Sequence, residues 1–104
     1  MNDDMIYYGA DFKASIKLEP AGQYNMDDYD FRADFYCSPR KKVTVQKEDM
    51  IRRGENEYHA TLSSRDLGPG MLSCTITRYI PDVDFPDGLR TDIQVFNLNK
   101  RIIG

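Results

Sequence analysis

His59 is the only histidine of this 104-residue chain, and Cys37 and Cys74 are its only cysteines. Acid–base catalysis needs an imidazole held within hydrogen-bond reach of the group it serves. His59 sits between Tyr58 and Ala60 in an alternating run, so its parity places it on the wet face of a strand. There it is expected to pair across the sheet. No serine or cysteine lies in a strained glycine-rich turn of the kind that exposes a nucleophile. A histidine metal cluster is excluded by number. Both cysteines fall in β-patterned runs at inward positions, and no Cys-x-x-Cys pair occurs. They read as small buried apolar residues of a reducing compartment, with a disulfide as the alternative.

The carboxylates offer one further candidate. Asp82-Val83-Asp84-Phe85-Pro86-Asp87-Gly88 is an oxygen-rich turn of the kind that can hold Ca²⁺. It misses the EF-hand spacing twice: the third Asp comes one residue late, and Ile93 stands where a bidentate Glu should close the cage. The competing reading is a solvated loop around an ordinary Pro-Asp-Gly turn. Asp27-Asp28-Tyr29-Asp30 is a weaker case, with no glycine and a strand beginning immediately after it. Paired carboxylates for glycoside cleavage must face each other across a cleft, which acids on wet strand faces do not specify. Gly68-Pro69-Gly70 has a proline where a phosphate cradle needs N–H groups. No catalytic, cofactor-binding or metal-ligating residue is therefore assigned, and a non-enzymatic protein is expected.

Seven tyrosines without a tryptophan leave a binding role open. Tyr36 is outward by alternation, and Tyr24 and Tyr29 precede a strand, so the three could stack on sugars or anchor a protein. The alternative is that tyrosine simply suits a half-buried pleated surface. Composition narrows the partners. A formal net charge of −3 argues against nucleic acid, and Arg40-Lys41-Lys42, Arg52-Arg53 and Lys100-Arg101 read as solvated loops and strand ends. No apolar run approaches the roughly 20 residues that span a bilayer, and Met1-Asn2-Asp3-Asp4 is acidic where a signal peptide is basic. Neither a nucleic-acid nor a membrane partner is expected, and the chain reads as one made and kept in a cytoplasm.

The elements that must position these groups are strands. Phe12, Ala14, Ile16 and Leu18 alternate with polar residues from Asp11 to Glu19. Phe31, Ala33, Phe35 and Cys37 do the same, with Arg32, Asp34 and Tyr36 outward. Val43-Thr44-Val45 starts a third strand, and Tyr58, Ala60 and Leu62 carry a fourth with His59, Thr61 and Ser63 outside. Leu67-Gly68-Pro69-Gly70 is a tight connection, and Leu72, Cys74 and Ile76 carry a fifth strand ending near Tyr79. Pro81 to Gly88 reads as a loop before a sixth strand with Leu89, Thr91, Ile93 and Val95. Gln46 to Arg52 holds at most a helical turn, and Gly54-Glu55-Asn56 reads as a turn. Met5-Ile6-Tyr7-Tyr8 and Ile102-Ile103 are apolar termini that either join this domain's own sheet or add strands to a neighbour. The pattern predicts an all-β chain: one domain over residues 1–104, a two-sheet antiparallel immunoglobulin-like β-sandwich of about six to eight strands.

Three stretches carry a resemblance. They are Asp11-Phe12 at the head of an alternating strand; Tyr29-Asp30-Phe31-Arg32-Ala33-Asp34-Phe35; and Tyr58 to Ser63 followed by Leu67-Gly68-Pro69-Gly70-Met71-Leu72. In this order they resemble the small β-sandwich domain of bacteriophage tail and baseplate proteins. The form most like it is the amino-terminal domain of the phage baseplate upper protein and its short prophage relatives. Ser63-Ser64-Arg65-Asp66 fills the place of the family's Ser/Thr-headed turn, with Ser64 as its candidate cap. Two stretches depart from the family: Tyr79 to Gly88 is longer, and Pro20-Ala21-Gly22 replaces a Gly-x-Pro signature. The resemblance implies a virion structural protein of a phage or prophage, assembled in the bacterial cytoplasm. Its partners would be other phage structural proteins and further copies of itself as a homo-oligomer, with no cofactor. The rival expectation is an immunoglobulin-like adhesion or carbohydrate-binding module using Tyr24, Tyr29 or Tyr36, with calcium at Asp82–Asp87.

Overall fold

The computed structural model describes residues 4–95 and 98–104 and is all-β, with ten strands and three single 3₁₀ turns among them. One sheet has the order β2 (Asp11–Lys17), β6 (Glu57–Ser63), β5 (Ile51–Gly54). The other runs β4 (Lys41–Gln46), β3 (Asp30–Ser38), β8 (Ser73–Asp82), β9 (Phe85–Val95). All neighbours in both are antiparallel. Labelled as an immunoglobulin domain, these are strands B-E-D against C′-C-F-G, the Greek-key order of that sandwich. The anticipated sandwich is therefore present, with more strands than anticipated and one addition. A third, small sheet joins β1 (Asp4–Tyr7), β10 (Lys100–Ile103) and β7 (Gly70–Met71), and its β1–β10 pair is parallel. Among the described residues no helix is long and apolar enough to cross a membrane.

The period-two pattern explains the core. Ala14 and Ile16 on β2 and Tyr58, Ala60 and Leu62 on β6 share one buried cluster with Phe31, Ala33 and Phe35 on β3 and Cys74 and Ile76 on β8. The Phe31 and Tyr58 rings bridge the two sheets edge-to-face, with centroids 5.1 Å apart. Each such side chain contributes about 1.5–3 kcal/mol of burial, enough to override the weak helical tendency near residue 47. Only Lys47–Asp49 forms a single 3₁₀ turn there.

Four local expectations are corrected. Ile51–Gly54 is a strand that polarity concealed, because its residues lie at a sheet edge and are mostly exposed. β8 continues past Tyr79 to Asp82, and Pro81 to Gly88 is a β-hairpin with Asp82 paired to Phe85 rather than a loop. Proline is tolerated here because a register shift between Ile80 and Asp82 leaves Pro81 out of the ladder, while Pro86 lies on the edge strand β9. Gly70, placed in a connection, also pairs with Ile102. Its φ of +134° and the approach of Cys37, 3.3 Å from where a Cβ would stand, make glycine the residue that fits.

Ser64 is the fourth correction. It makes no cap: the 3₁₀ turn Ser64–Asp66 has Ser63 at its N-cap with no side-chain hydrogen bond. Instead the buried Ser64 hydroxyl accepts from the Gly9 N–H at 2.7 Å and reaches the Tyr7 carbonyl at 3.4 Å. It thus ties the β1–β2 turn to the end of β6. Ser64→Ala strands the Gly9 N–H, and we expect a loss of about 1–3 kcal/mol in urea unfolding, with faster exchange of the Gly9 amide. An unchanged midpoint would contradict this role. The apolar termini also find their place: Ile6 and Ile102 are register partners and both are buried.

Candidate functional site

His59 lies on the polar face of β6, as expected, but its partner is on its own strand and not across the sheet. Its Nε2 stands 2.7 Å from a Glu57 carboxylate oxygen, and the Ser15 hydroxyl donates to that same oxygen at 3.4 Å. The β2–β6 register makes Ser15 the direct neighbour of His59. Three residue types known from hydrolytic triads are thus adjacent, in the wrong order. The hydroxyl is directed to the carboxylate, so the imidazole is not placed to take its proton. The hydrogen bond from His59, followed by the charge of Lys17, holds the Glu57 carboxyl below its usual range. This is a cross-strand polar cluster.

The two thiols are unbonded. Register explains why: β3 and β8 are neighbours, but Cys74 stands opposite Phe35, not Cys37. Burial pushes the Cys74 thiol up to about 12 and also raises Cys37, so neither is a thiolate at neutral pH.

Three aspartates of the acidic segments are held by protein donors. Asp82 accepts from the Asp84 N–H at 2.8 Å and so closes the hairpin turn. Asp28 accepts from the Asn25 N–H at 2.9 Å, and Asp27 is taken up by Arg52 and Tyr58. Among the described residues no three His, Cys, Asp or Glu side chains gather as a metal would require. Of the three candidate tyrosines, one is withdrawn from the surface. Tyr29 is buried, with its ring under the Arg78 guanidinium at 5.6 Å and edge-on to Phe31. Tyr24 is half-buried and closes a tight turn through paired hydrogen bonds with Ala21, and Tyr36 is half-buried on β3. The Tyr29 hydroxyl meets no hydrogen-bond partner among the described residues. Removing it should relieve an unsatisfied polar atom, so Tyr29→Phe is expected to raise stability by about 1 kcal/mol in urea titration. A loss of similar size would reveal a bound water as its partner.

One end of the sandwich is closed by a clamp that no motif announced. Asp27 receives a two-pronged hydrogen bond from Arg52, Nε at 2.8 Å and Nη2 at 2.7 Å, and a third from the Tyr58 hydroxyl. Beside it the Lys47 ammonium donates to the carbonyls of Met26, Asp27 and Tyr29 at 2.9, 3.2 and 2.8 Å. The same ammonium lies 5.5 Å from the Phe31 ring centre and 5.8 Å from that of Tyr58. The Arg52 hydrogen bond, and then that of Tyr58, lowers the Asp27 carboxyl to about 2. Burial first, then the bond to Asp27, raises the Tyr58 hydroxyl to about 12. The signs follow from linkage. A lowered carboxyl stabilises the fold above about pH 4, and that contribution is lost as pH falls through 2. A raised phenol stabilises it below about pH 10, and that contribution is lost as pH rises through 12. Urea midpoints should therefore decline outside the window from pH 4 to 10. Asp27→Asn should lower the neutral plateau and flatten the decline between pH 4 and 2; an unaltered acid limb would disprove the assignment.

The remaining feature is a projection. β3 accompanies β8 only as far as Asp30 beside Tyr79. β8 and β9 continue together to Ile80–Leu89 and Asp82–Phe85, leaving a two-stranded arm beyond the sheet. Gly88 shapes its base: φ is +96°, and an added Cβ would lie 2.9 Å from that of Tyr79. Residues 81–87 are exposed, with Val83 at 98% and Phe85 at 50%. The sequence pattern missed this arm because a hairpin with two prolines and three aspartates reads as a loop. The signal available was the presence of Val83 and Phe85 in an otherwise polar turn. Compared with known protein families, curated proteins and solved structures, the chain finds no match.

Proposed function

We propose that this chain is a virion structural module of a phage or prophage, a tail- or baseplate-associated domain that works by protein–protein assembly. The observation that carries the reading is the projecting arm. A two-stranded ribbon is only marginally stable alone, and this one holds a valine and a half-exposed phenylalanine in water at its tip. Burying those side chains on another protein is the arrangement that makes such an arm favourable. The immunoglobulin-type strand order and the three sequence stretches that resemble the phage family support the same reading. In this reading the partners are other phage structural proteins and further copies of the chain, assembled in the bacterial cytoplasm and retained in the virion.

The test is genomic and biochemical together. Genes for tail, tape-measure or portal proteins on either side of the coding sequence are expected. The purified chain, alone or with the products of those neighbours, should form a complex burying more than about 1,000 Å². Neighbours belonging only to metabolic operons would refute the phage assignment.

A further inference from the structure

The geometry points to a head-to-tail contact between copies of this chain, in which the arm tip of one copy docks into an apolar pocket at the opposite pole of the next. This step rests on the assembly reading above and specifies one of its contacts. The pocket has a volume of about 490 Å³, and its lining joins the apolar Tyr8, Leu67 and Pro69 to the basic Arg40 and Lys41 and to Gly104. It is an open depression on the surface and not an enclosed cavity, so it suits a projecting tip better than a small ligand.

Register places tip and pocket apart. β3 runs from Asp30, beside Tyr79 where the arm departs, to Tyr36 beside Ser73. The pocket residues Ser38, Arg40 and Lys41 come after that far end. The molecule measures 47 × 27 × 24 Å, so an arm cannot reach its own pocket but can reach that of a neighbour. Chemistry matches the two surfaces. From Ile80 to Leu89 there are three carboxylates, Asp82, Asp84 and Asp87, and no basic residue. The pocket lining includes the exposed Arg40 and Lys41, with Lys42 adjoining in sequence and the Lys41 ammonium 3.5 Å from the Arg65 carbonyl. An apolar tip flanked by acids thus faces an apolar pocket flanked by bases, which favours this pairing over like-with-like contacts. Pro81 and Pro86 remove two N–H groups from the arm and weaken it as a template for strand addition, so the contact is assigned to the Val83 and Phe85 side chains. Because the two surfaces differ, the contact is heterologous and propagates into a ring or a filament.

Sedimentation of the full chain over a concentration series in low salt provides the test. The wild type should rise in mass with concentration and fall back as salt increases. Val83→Asp with Phe85→Ser removes the tip, and Arg40→Glu with Lys41→Glu inverts the basic part of the lining. Each double variant should weaken association by about 30-fold or more, the loss expected of a buried aromatic anchor or of charge reversal beside it. All four positions are exposed, so far-ultraviolet dichroism and urea midpoints should match the wild type. The deciding experiment mixes the two variants, which retain one intact tip and one intact pocket between them. They should form dimers and nothing larger. A wild type that stays monomeric at millimolar concentration, a tip variant that assembles normally, or a mixture without dimers would each overturn the contact. In any of these cases tail-gene neighbours would still support assembly with a different partner, whereas metabolic neighbours would remove the underlying reading.

Discussion

Phe31→Ala is expected to cost about 3–5 kcal/mol, the largest loss of any single substitution considered for this chain. The ring is fully enclosed where three elements converge: Tyr29 edge-on at 6.0 Å, Tyr58 edge-on at 5.1 Å, and the Lys47 ammonium 5.5 Å from its centre. Truncation therefore forfeits transfer free energy, two aromatic contacts and a cation–π contact, and leaves a cavity between the sheets. Total stability in small domains is about 5–15 kcal/mol, so the variant should forfeit a large fraction of it. The chain has no tryptophan, so urea unfolding followed by far-ultraviolet dichroism is the suitable measurement. Phe31→Leu keeps most of the volume and should cost clearly less. A loss below about 1 kcal/mol for the alanine variant would mean that the two sheets do not meet at this residue.

Lys47→Met should be the second most damaging change, at about 2–4 kcal/mol. Methionine retains the apolar stem that covers Phe31 and Tyr58, so the experiment isolates the ammonium. Its loss removes the charged donor from three carbonyls, those of Met26, Asp27 and Tyr29, two of these bonds being partly buried. Hydrogen bonds to a charged group are worth about 1.5–3 kcal/mol each, and the three share one donor, so their contributions do not simply add. Lys47→Arg should rescue only in part. A planar guanidinium suits a carboxylate, whereas three converging carbonyls suit the tetrahedral ammonium. Combined with Asp27→Asn, Lys47→Met should show a coupling energy of about 0.5–3 kcal/mol, since both side chains hold the segment 26–29. Strict additivity would mean that the clamp is two independent contacts, and a cost under about 0.5 kcal/mol that Lys47 is merely solvated.

Reading strands from period two succeeded wherever one face is buried. Phe31, Ala33 and Phe35 on β3 and Tyr58, Ala60 and Leu62 on β6 point inward as their spacing demanded. It failed wherever neither face is buried. β5 and the arm between Ile80 and Leu89 lie at an edge or outside the sheet, so no alternation was required of them and none is present. Ser64 misled for a related reason: serine after a strand suggests a local cap, while its acceptor role serves Gly9, 55 residues away. Tyr29 reads as a loop residue and is core. The rival sugar platform fails at that residue.

The candidate surfaces were less legible still. Asp27, Arg52, Tyr58 and Lys47 come from four separate stretches with no shared spacing, and only the packing of one sheet on the other makes them one clamp. The order of residues was sufficient to specify an all-β chain and its inward positions, because alternation acts between neighbours along a strand and is written in one dimension. Strand order, the third sheet and the separation of an acidic arm from a pocket partly lined by bases depend on which distant segments meet. Those pairings are long-range, and they arise only when the whole core closes.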